Sequence, residues 1–244
     1  MKKVILGAAL CGAAVALADA ANADDGGDFL SGSDDALILG PTGIPTPDAA
    51  YISDAQRLYL DPLGYDGTTA TTVALTTPET TDYSTSVPEG EQDLINAVVA
   101  DYDAGDMGCD ASGVCSDPLT IFTYSQSSAV ASLAEQQLAA DHIPTDALRF
   151  VMLGANPSGV PDNLYPTEVY NINGDFYAQP GSDGNTLPAE LFGMELHDAY
   201  MGLTPAEIDA ATPVAEGMTT VNDIPTLTSV ELVAALLAAA PATG

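Results

Sequence analysis

Residues 121–129 read Ile121-Phe122-Thr123-Tyr124-Ser125-Gln126-Ser127-Ser128-Ala129, and this segment predicts a strand, a turn and a helix in succession. The apolar and β-branched residues from Leu119 to Tyr124 predict a buried strand. The residues from Gln126 to about Ala140 predict a helix, and the small side chains at its start allow it to pack closely on the strand. Ser125 stands at the turn between the two elements.

The alternation of strand and helix continues outward from this stretch in both directions. We expect strands over residues 36–39, 71–77, 119–124, 148–153 and 167–172. We expect helices over residues 47–60, after a capping box of Ser86 and Glu89, over 126–140 and, as the second of two late helices, over 230–240 after a capping box of Thr228 and Glu231. Residues 173–203 are predicted to be mostly irregular, with a short helix near Ala189. This order predicts an α/β fold with a mainly parallel sheet covered on both faces.

The serine at the turn has two interpretations. A strand, a serine and a helix in this order form the setting of a nucleophile elbow, usually written G-x-S-x-G, in which the helix N-terminus stabilises negative charge. Thr123 and Ser127 replace both glycines of that pattern. The alternative is an ordinary serine N-cap, because serine is also favoured at that position. The local sequence supports both interpretations about equally.

A nucleophilic serine needs a base, and the chain contains only two histidines. His142 ends the helix that starts after Ser125, so a rise of 1.5 Å per residue places it roughly 24 Å away. His197 is therefore the remaining candidate base, and the alternative for it is a surface histidine on a short helix. The acid should lie between Ser125 and His197 at the end of a strand, and Asp175 follows the predicted strand 167–172.

Three other aspartates are weaker candidates for the acid. No predicted strand delivers Asp162 or Asp183, and Asp198 is constrained by its place beside His197. The order Ser125, Asp175, His197 is the order found in α/β hydrolases.

The composition excludes several kinds of partner. The chain has 35 acidic and four basic residues and a formal net charge of −31, so it repels nucleic acid and anionic headgroups. Cys109 and Cys115 bracket a short polar loop and predict a disulfide, with two free thiols as the alternative. The acidic residues near this loop lack the spacing of a calcium site, and we expect no metal site.

The N-terminus has the parts of a secretory signal peptide. Lys2 and Lys3 precede a short apolar run, which is followed by Ala21-Asn22-Ala23. We predict a signal peptide over residues 1–23 cleaved after Ala23, although Ala18 and Ala20 also end A-x-A triplets. A flexible lead over residues 24–35 would follow. No second apolar span exists, so we expect no transmembrane segment after cleavage and a product that is secreted or held in the cell envelope.

Four blocks of the sequence resemble the PE-PPE domain, a serine α/β-hydrolase domain of mycobacterial cell-envelope proteins that is related to cutinase-like esterases. Residues 37–47 are similar to its opening G-G-T-G-x-P-x-P segment, and residues 123–130 to its G-Y-S-Q-[SG]-A block. Residues 170–177 are similar to its Y-D-G-x-A-D-F-P block, and residues 196–200 to its closing block with H-x-x-Y. The resemblance covers roughly residues 36 to 203 and implies a single α/β-hydrolase domain over residues 36–244, built as a three-layer sandwich.

The resemblance also implies a chemistry. Ser125, Asp175 and His197 would form a catalytic triad, and the backbone amides of Gln126 and Thr42 would form the oxyanion hole. The expected activity is that of a serine carboxylic-ester hydrolase acting on acyl-ester or lipid substrates without a cofactor. A cell-envelope acyltransferase with the same triad, and a catalytically decayed envelope protein, are the alternatives. The oligomeric state is not predicted.

The sequence departs from the family's pattern at several of these blocks. Thr123 stands for a glycine in the elbow, and Pro41 replaces a flexible glycine in the first loop. Asn171 and Tyr177 change the surroundings of the acid. These departures leave low activity, or a decayed site, as an expectation beside the active one.

Overall fold

The centre of the protein is a seven-stranded sheet. The computed structural model describes residues 29–68, 70–178 and 193–239. The strands lie in the spatial order β2-β1-β3-β4-β5-β7-β6, and every neighbouring pair is parallel except β6 and β7. The strands are β1 (Ala36–Ile38), β2 (Thr72–Ala74), β3 (Leu119–Tyr124), β4 (Leu148–Leu153), β5 (Thr167–Ile172), β6 (Thr212–Glu216) and β7 (Thr219–Ile224).

Helices cover both faces of the sheet. Their bounds are α1 (Ala49–Ala55, continued by a π-helical turn over Gln56–Leu60), α2 (Tyr83–Ala104), α3 (Gln126–Ala140), α4 (residues 193–197), α5 (Pro205–Asp209) and α6 (Ser229–Ala239). One apolar core lies between the sheet and α1, α5 and α6, and the other lies between the sheet and α2 and α3. This three-layer arrangement confirms the predicted α/β fold class.

Each central strand supplies side chains to both cores. In β1, Ile38 packs into the first core and Leu37 into the second, and in β3 the same division separates Phe122 from Ile121. Side chains alternate across a strand, so a strand that is buried on both faces must be apolar at consecutive positions. All six residues of β3 are buried. This is why the apolar runs of the sequence predict the parallel strands so well.

The predicted bounds of β3, β4, β5 and α3 are confirmed residue for residue. The strand predicted over 71–77 is confirmed as the shorter edge strand β2, and the predicted final helix is confirmed as α6. The capping box of that helix is also present, because the N–H of Thr228 donates to Glu231 and the N–H of Glu231 donates to the Thr228 hydroxyl.

The capping box predicted at Ser86 and Glu89 is wrong. Helix α2 already begins at Tyr83, after Asp82, whose carboxylate accepts hydrogen bonds from the hydroxyls two and three residues further on. Ser86 is buried inside the helix, where its Oγ accepts a hydrogen bond from Gln126 Nε2 at 2.7 Å. The Ser86 hydroxyl thus contacts another helix, whereas the local pattern predicted that it would cap its own helix.

The hairpin of β6 and β7 was not predicted. Every residue of β6 is exposed, and the strand contains Pro213. Its sequence shows neither an apolar run nor an alternation of apolar and polar residues. The pair forms because β7 adds to the edge of β5, and β6 then pairs antiparallel with β7 around the turn at Gly217, where φ is +65°. The helix predicted near Ala189 lies outside the described residues, and α4 follows that gap.

The N-terminal part differs from its expectation within the described residues. Residues 29–35 fall in the predicted flexible lead, but Leu30 is fully buried and its N–H donates to the Leu63 carbonyl at 2.8 Å. The burial of the Leu30 side chain in the first core, together with this hydrogen bond, fixes the segment against the rest of the protein. The predicted signal peptide over residues 1–23 and the rest of the lead lie outside the described residues.

The predicted disulfide is confirmed. Cys109 and Cys115 are bonded, and their Cα atoms are 3.8 Å apart in the loop between α2 and β3. Disulfides persist in oxidising compartments, so this bond is consistent with an exported protein. Among the described residues, no helix combines the length and the apolar character needed to cross a membrane.

Candidate active site

The turn between β3 and α3 holds Ser125 in an unusual backbone conformation. Its φ is +60° and its ψ is −118°, in the region that residues with a side chain rarely adopt. Such a conformation costs on the order of 1–3 kcal/mol and persists only when its surroundings enforce it. Here the N–H of Ser125 donates to the Leu153 carbonyl at 2.9 Å, so the end of β4 helps to hold the turn. The Ser125 side chain makes no capping hydrogen bond, which argues against the N-cap interpretation.

Hydroxyl groups occupy the positions where an elbow usually has glycines. Thr123 is fully buried, and its Oγ1 lies 3.1 Å from Ser128 Oγ. The Ser127 Oγ accepts from the N–H of Tyr124 at 2.9 Å and donates to the Tyr124 carbonyl at 3.0 Å. Both side chains therefore tie the end of the strand to the start of the helix.

The three predicted residues lie together at the carboxyl edge of the sheet. The His197 Nε2 atom is 2.7 Å from Ser125 Oγ, and its Nδ1 atom is 2.8 Å from Asp175 Oδ2. An ionised carboxylate can only accept, so Nδ1 carries the proton donated to Asp175, and Nε2 is left to accept from the serine hydroxyl. His142 is exposed at the far end of α3 and does not border this site.

Asp175 is fully buried, and four donors surround its carboxylate. The N–H groups of Tyr177 and Ala178 donate to Oδ1 at 2.8 and 3.2 Å, while the Tyr200 hydroxyl and the His197 ring donate to Oδ2 at 2.7 and 2.8 Å. A buried carboxylate is stable only with such partners. The weaker candidate Asp162 is not among the residues that border the cavity at this site, and Asp183 lies outside the described residues.

Tyr200, the tyrosine of the H-x-x-Y block, contacts Asp175 of the site, although the sequence predicted no role for it. Its hydroxyl accepts a hydrogen bond from the N–H of Ile172 at 2.9 Å and donates to Asp175. The side chain is fully buried, and burial raises its pKa well above the ordinary value. The hydroxyl therefore keeps its proton and remains a donor to Asp175. Its place three residues after His197 was the available signal.

Gly154 is a second residue that the sequence reasoning missed. It follows β4 with a φ of +59°, and a Cβ atom on it would lie 2.9 Å from Cε1 of His197. The absence of a side chain thus makes room for the imidazole. His197 is held from other sides by the Tyr124 hydroxyl, which donates to its carbonyl, and by the Tyr177 ring, whose centroid is 4.8 Å from the imidazole.

The first loop meets the start of α3 beside Ser125. The Thr42 Oγ1 donates to Gln126 Oε1 at 3.0 Å, and the Gln126 Nε2 in turn donates to Ser86 of α2. The neighbouring Gly43 has a φ of +90° and donates its N–H to the Glu79 carbonyl at 2.7 Å. These contacts place Thr42 next to Gln126, and these are the two residues predicted for an oxyanion hole.

A cavity of about 840 Å³ opens at Ser125 and His197. Apolar side chains form most of its wall, including Ile44, Leu133 and Met201. A cluster of three carboxylates, Asp34, Asp35 and Asp117, is found among the described residues, but it lies where β1 and β3 begin, at the opposite edge of the sheet. The cavity itself is lined mainly by apolar side chains, together with Ser125 and His197.

This architecture defines the class of protein. A mainly parallel sheet between two helical layers, with a serine on a strained strand-to-helix turn at the carboxyl edge, is an α/β-hydrolase-like fold. Residues 65–177 match the PE-PPE domain. This match confirms the resemblance to the PE-PPE domain that the sequence blocks indicated. The matched range includes Ser125 and Asp175, whereas Thr42 lies before it and His197 lies after it.

Two curated relatives come from Mycobacterium tuberculosis (strain ATCC 25618 / H37Rv). The chain is 31% identical over 216 residues to the uncharacterized PPE family protein PPE28, across 73% of this chain and 31% of that protein. It is also 31% identical over 215 residues to the esterase PE16, across 73% of this chain and 39% of that protein. The chain thus spans about a third of the length of the curated relatives it matches.

Proposed function

We propose that this protein is an exported serine esterase that hydrolyses acyl esters through Ser125, His197 and Asp175. The observation that carries the proposal is the 2.7 Å separation of Ser125 Oγ and His197 Nε2, with Asp175 on the other ring nitrogen. The PE-PPE domain and the relative named as an esterase support the hydrolase class. The predicted signal peptide and the disulfide support export.

The reaction follows from these contacts. His197 takes the proton of the Ser125 hydroxyl as the oxygen attacks the ester carbonyl, and Asp175 stabilises the imidazolium that forms. The backbone amides of Gln126 and Thr42 bind the oxyanion. The imidazolium then protonates the departing alcohol, which leaves an acyl group on Ser125. Water, deprotonated by the same imidazole, attacks that acyl group and releases the carboxylic acid and the free serine.

A test of this mechanism uses the two histidines of the chain as a matched pair. Ser125→Ala and His197→Ala should each lower hydrolysis of a p-nitrophenyl acyl ester by at least about 10³-fold, because the three groups act as a unit. The double variant should lose little more than either single one. His142→Ala should hydrolyse the ester at the wild-type rate, since that ring lies at the far end of α3.

Labelling with a fluorophosphonate separates a decayed site from an active one. Only an activated serine reacts with this probe, so wild-type protein should be labelled at Ser125 and both alanine variants should not. Equal activity losses from His142→Ala and His197→Ala, or unlabelled wild-type protein, would refute the proposed mechanism. Transfer of the acyl group to an added sugar or lipid alcohol in preference to water would replace the esterase with an acyltransferase.

A further inference from the structure

The segment that follows β2 holds the loop that carries Thr42. A turn in this loop is closed by the N–H of Ile44, which donates to the Pro41 carbonyl at 2.9 Å. The N–H of Gly43 donates to the Glu79 carbonyl at 2.7 Å. Within the described part of the chain, protein carbonyls thus accept from two of the three N–H groups of the turn, and the N–H of Thr42 is left for the oxyanion.

The peptide group between Glu79 and Thr80 connects this loop to the other residue predicted for the oxyanion hole. Its carbonyl accepts from the loop, and its N–H donates to Ser86 Oγ at 2.9 Å. The same Ser86 Oγ accepts from Gln126 Nε2 at 2.7 Å, and Gln126 Oε1 accepts from the Thr42 hydroxyl at 3.0 Å. These hydrogen bonds close a ring that contains both Thr42 and Gln126. Because a peptide group is planar and rigid, its orientation sets where both residues lie.

Glu79 holds this peptide group from an unfavourable backbone conformation. Its φ is +44°, in the left-handed region that favours glycine, and a residue with a side chain stays there only when its surroundings enforce it. The side chain is buried, and its Oε1 accepts from the Thr77 hydroxyl at 2.9 Å. The N–H of Thr77 donates to the Pro45 carbonyl at 3.0 Å. The side chain of Glu79 is therefore tied back to the first loop by a second route.

We infer that Glu79 is a positioning residue for the proposed oxyanion hole. Its buried side chain fixes the backbone at this residue, and the peptide group that follows holds Thr42 and Gln126 in their places beside Ser125. Glu79 is not among the residues that border the cavity, so it acts through Thr42 and Gln126 and does not touch the substrate. The inference rests on the proposed esterase function, because an oxyanion forms only when Ser125 attacks an ester.

Two substitutions at Glu79 separate the support of the backbone from the charge of the side chain. Burial raises the pKa of the carboxyl to about 7, against the opposite effect of the Thr77 hydroxyl, so much of it is neutral at neutral pH. Glutamine has the same shape and can accept from Thr77, and Glu79→Gln should keep a kcat on p-nitrophenyl butyrate close to that of wild type. Glu79→Ala should lower kcat about 10- to 100-fold with little change in KM, since loss of a whole oxyanion donor costs about 10²- to 10³-fold. Equal losses in the two variants would assign the effect to the charge and overturn the inference.

Inhibition by butylboronic acid reports on the oxyanion hole itself. The boron forms a tetrahedral adduct with an active serine, and one of its oxygens takes the position of the oxyanion, so the adduct resembles the transition state. The inhibition constant should rise in Glu79→Ala by the same factor by which kcat/KM falls. A loss of stability alone leaves this constant unchanged when it is measured on folded protein. An unchanged inhibition constant in Glu79→Ala would therefore overturn the inference.

Ser86→Ala tests the other arm of the same peptide group, and it decides the inference if Glu79→Ala does not fold. We expect a fall in kcat of similar size. The double variant should lose little more than either single one, because both substitutions act through one peptide group. The matched control is Glu135→Ala, which makes the same truncation at another buried glutamate and should change neither kcat nor the inhibition constant.

The behaviour of the wild-type protein distinguishes failure of this inference from failure of the proposed function. A wild-type protein that neither hydrolyses the ester nor binds the boronic acid refutes the esterase proposal and the role of Glu79 with it. An active wild-type protein beside fully active Glu79→Ala and Ser86→Ala variants refutes only the role of Glu79.

Discussion

In the part of the chain that the structure describes, two carboxyl side chains are fully buried, and their surroundings are opposite. Asp175, at the carboxyl edge of the sheet, accepts hydrogen bonds from two backbone N–H groups, one tyrosine hydroxyl and the His197 ring. Glu135, in the middle of α3, has no hydrogen-bond partner for either oxygen. Burial alone raises the pKa of Glu135 to about 9. Burial without hydrogen-bond partners favours the protonated form of Glu135, whereas Asp175 is equally buried but is surrounded by four hydrogen-bond donors.

Glu135 lies on the helix that begins at the turn of Ser125. Helix α3 starts directly after Ser125, and Glu135 follows ten residues later on the face that is buried within the domain. A buried and unpaired carboxyl destabilises the fold when it is charged, and it is tolerated in the neutral form. Asp175 is therefore held by four hydrogen-bond donors, whereas Glu135 has none and is stable in its protonated form.

The largest effect is expected from Asp175→Asn. The amide keeps the size of the side chain but removes the negative charge that orients and stabilises the imidazole, so we expect kcat on a p-nitrophenyl ester to fall about 10³- to 10⁴-fold. The rate measured against wild-type protein at equal folded concentration checks this. A loss below about tenfold would mean that Asp175 is merely a buried structural acid, as Glu135 is.

The next effect concerns stability. Glu135 has a pKa near 9 when folded, above its ordinary value of 4.5, so the folded protein binds this proton more tightly than the unfolded chain does. Its contribution to stability is therefore fully present below pH 4.5 and is lost as the pH rises through about 9. Glu135→Met removes the group, and its unfolding free energy should exceed that of wild type by an increasing margin, on the order of several kcal/mol by pH 9.

Urea unfolding at several pH values measures this difference. The matched control is Glu89→Met, which makes the same change at an exposed position of α2 and should show a margin that does not grow with pH. Because repulsion among the many acidic groups also weakens the fold as the pH rises, the difference between variant and wild type carries the result. A margin for Glu135→Met that is constant with pH would show that the carboxyl is charged when folded.

The smallest effect tests one of the four donors to Asp175. Tyr200→Phe removes the hydroxyl that donates to Oδ2, which concentrates negative charge on the side of the carboxylate that faces His197. We expect kcat/KM to fall roughly tenfold, near the lower end of the range of about 1.5–3 kcal/mol for one hydrogen bond to a charged group. The acid limb of the kcat/KM profile should move to higher pH, since the protonated imidazole is favoured.

Tyr165→Phe is the control for that prediction. Its hydroxyl is equally buried and donates to the Ile143 carbonyl at 3.0 Å, far from the serine. Both substitutions should lower the melting temperature, but only Tyr200→Phe should shift the pH profile. An identical profile in the two variants would make Tyr200 a structural residue with no influence on Asp175.

Much of the fold was predictable because its signals are local. The mostly apolar and β-branched sequences of β3, β4 and β5 and the composition of α3 predict these elements to the residue, since a strand buried on both faces is enriched in such side chains. The edge hairpin of β6 and β7 was missed because an exposed edge strand carries no such pattern. The start of α2 was misplaced because Ser86 bonds to Gln126 of another helix instead of capping its own.

The candidate site divides in the same way. The order of Ser125, Asp175 and His197 along the chain was visible, and elimination left one histidine that could reach the serine. Their meeting within hydrogen-bond distance, across separations of 22 and 72 residues, is a property of the folded chain. Their catalytic roles, and those of Thr42 and Gln126, stay a proposal until the variants are measured.

From the sequence alone one could predict the order of strands and helices as far as β5, the two-sided burial of the central sheet, the Cys109–Cys115 bond and the turn at Ser125. Each depends on neighbours within one element or one loop, where periodicity and spacing act directly. Only the tertiary structure decided that Gly154 makes room for His197 and that Tyr200 completes the donors of Asp175. It alone also decided that α6 leaves Val230, Val233 and Leu237 exposed on its outer face. Those features arise where segments distant in the chain pack together, and local sequence patterns carry no information about such contacts.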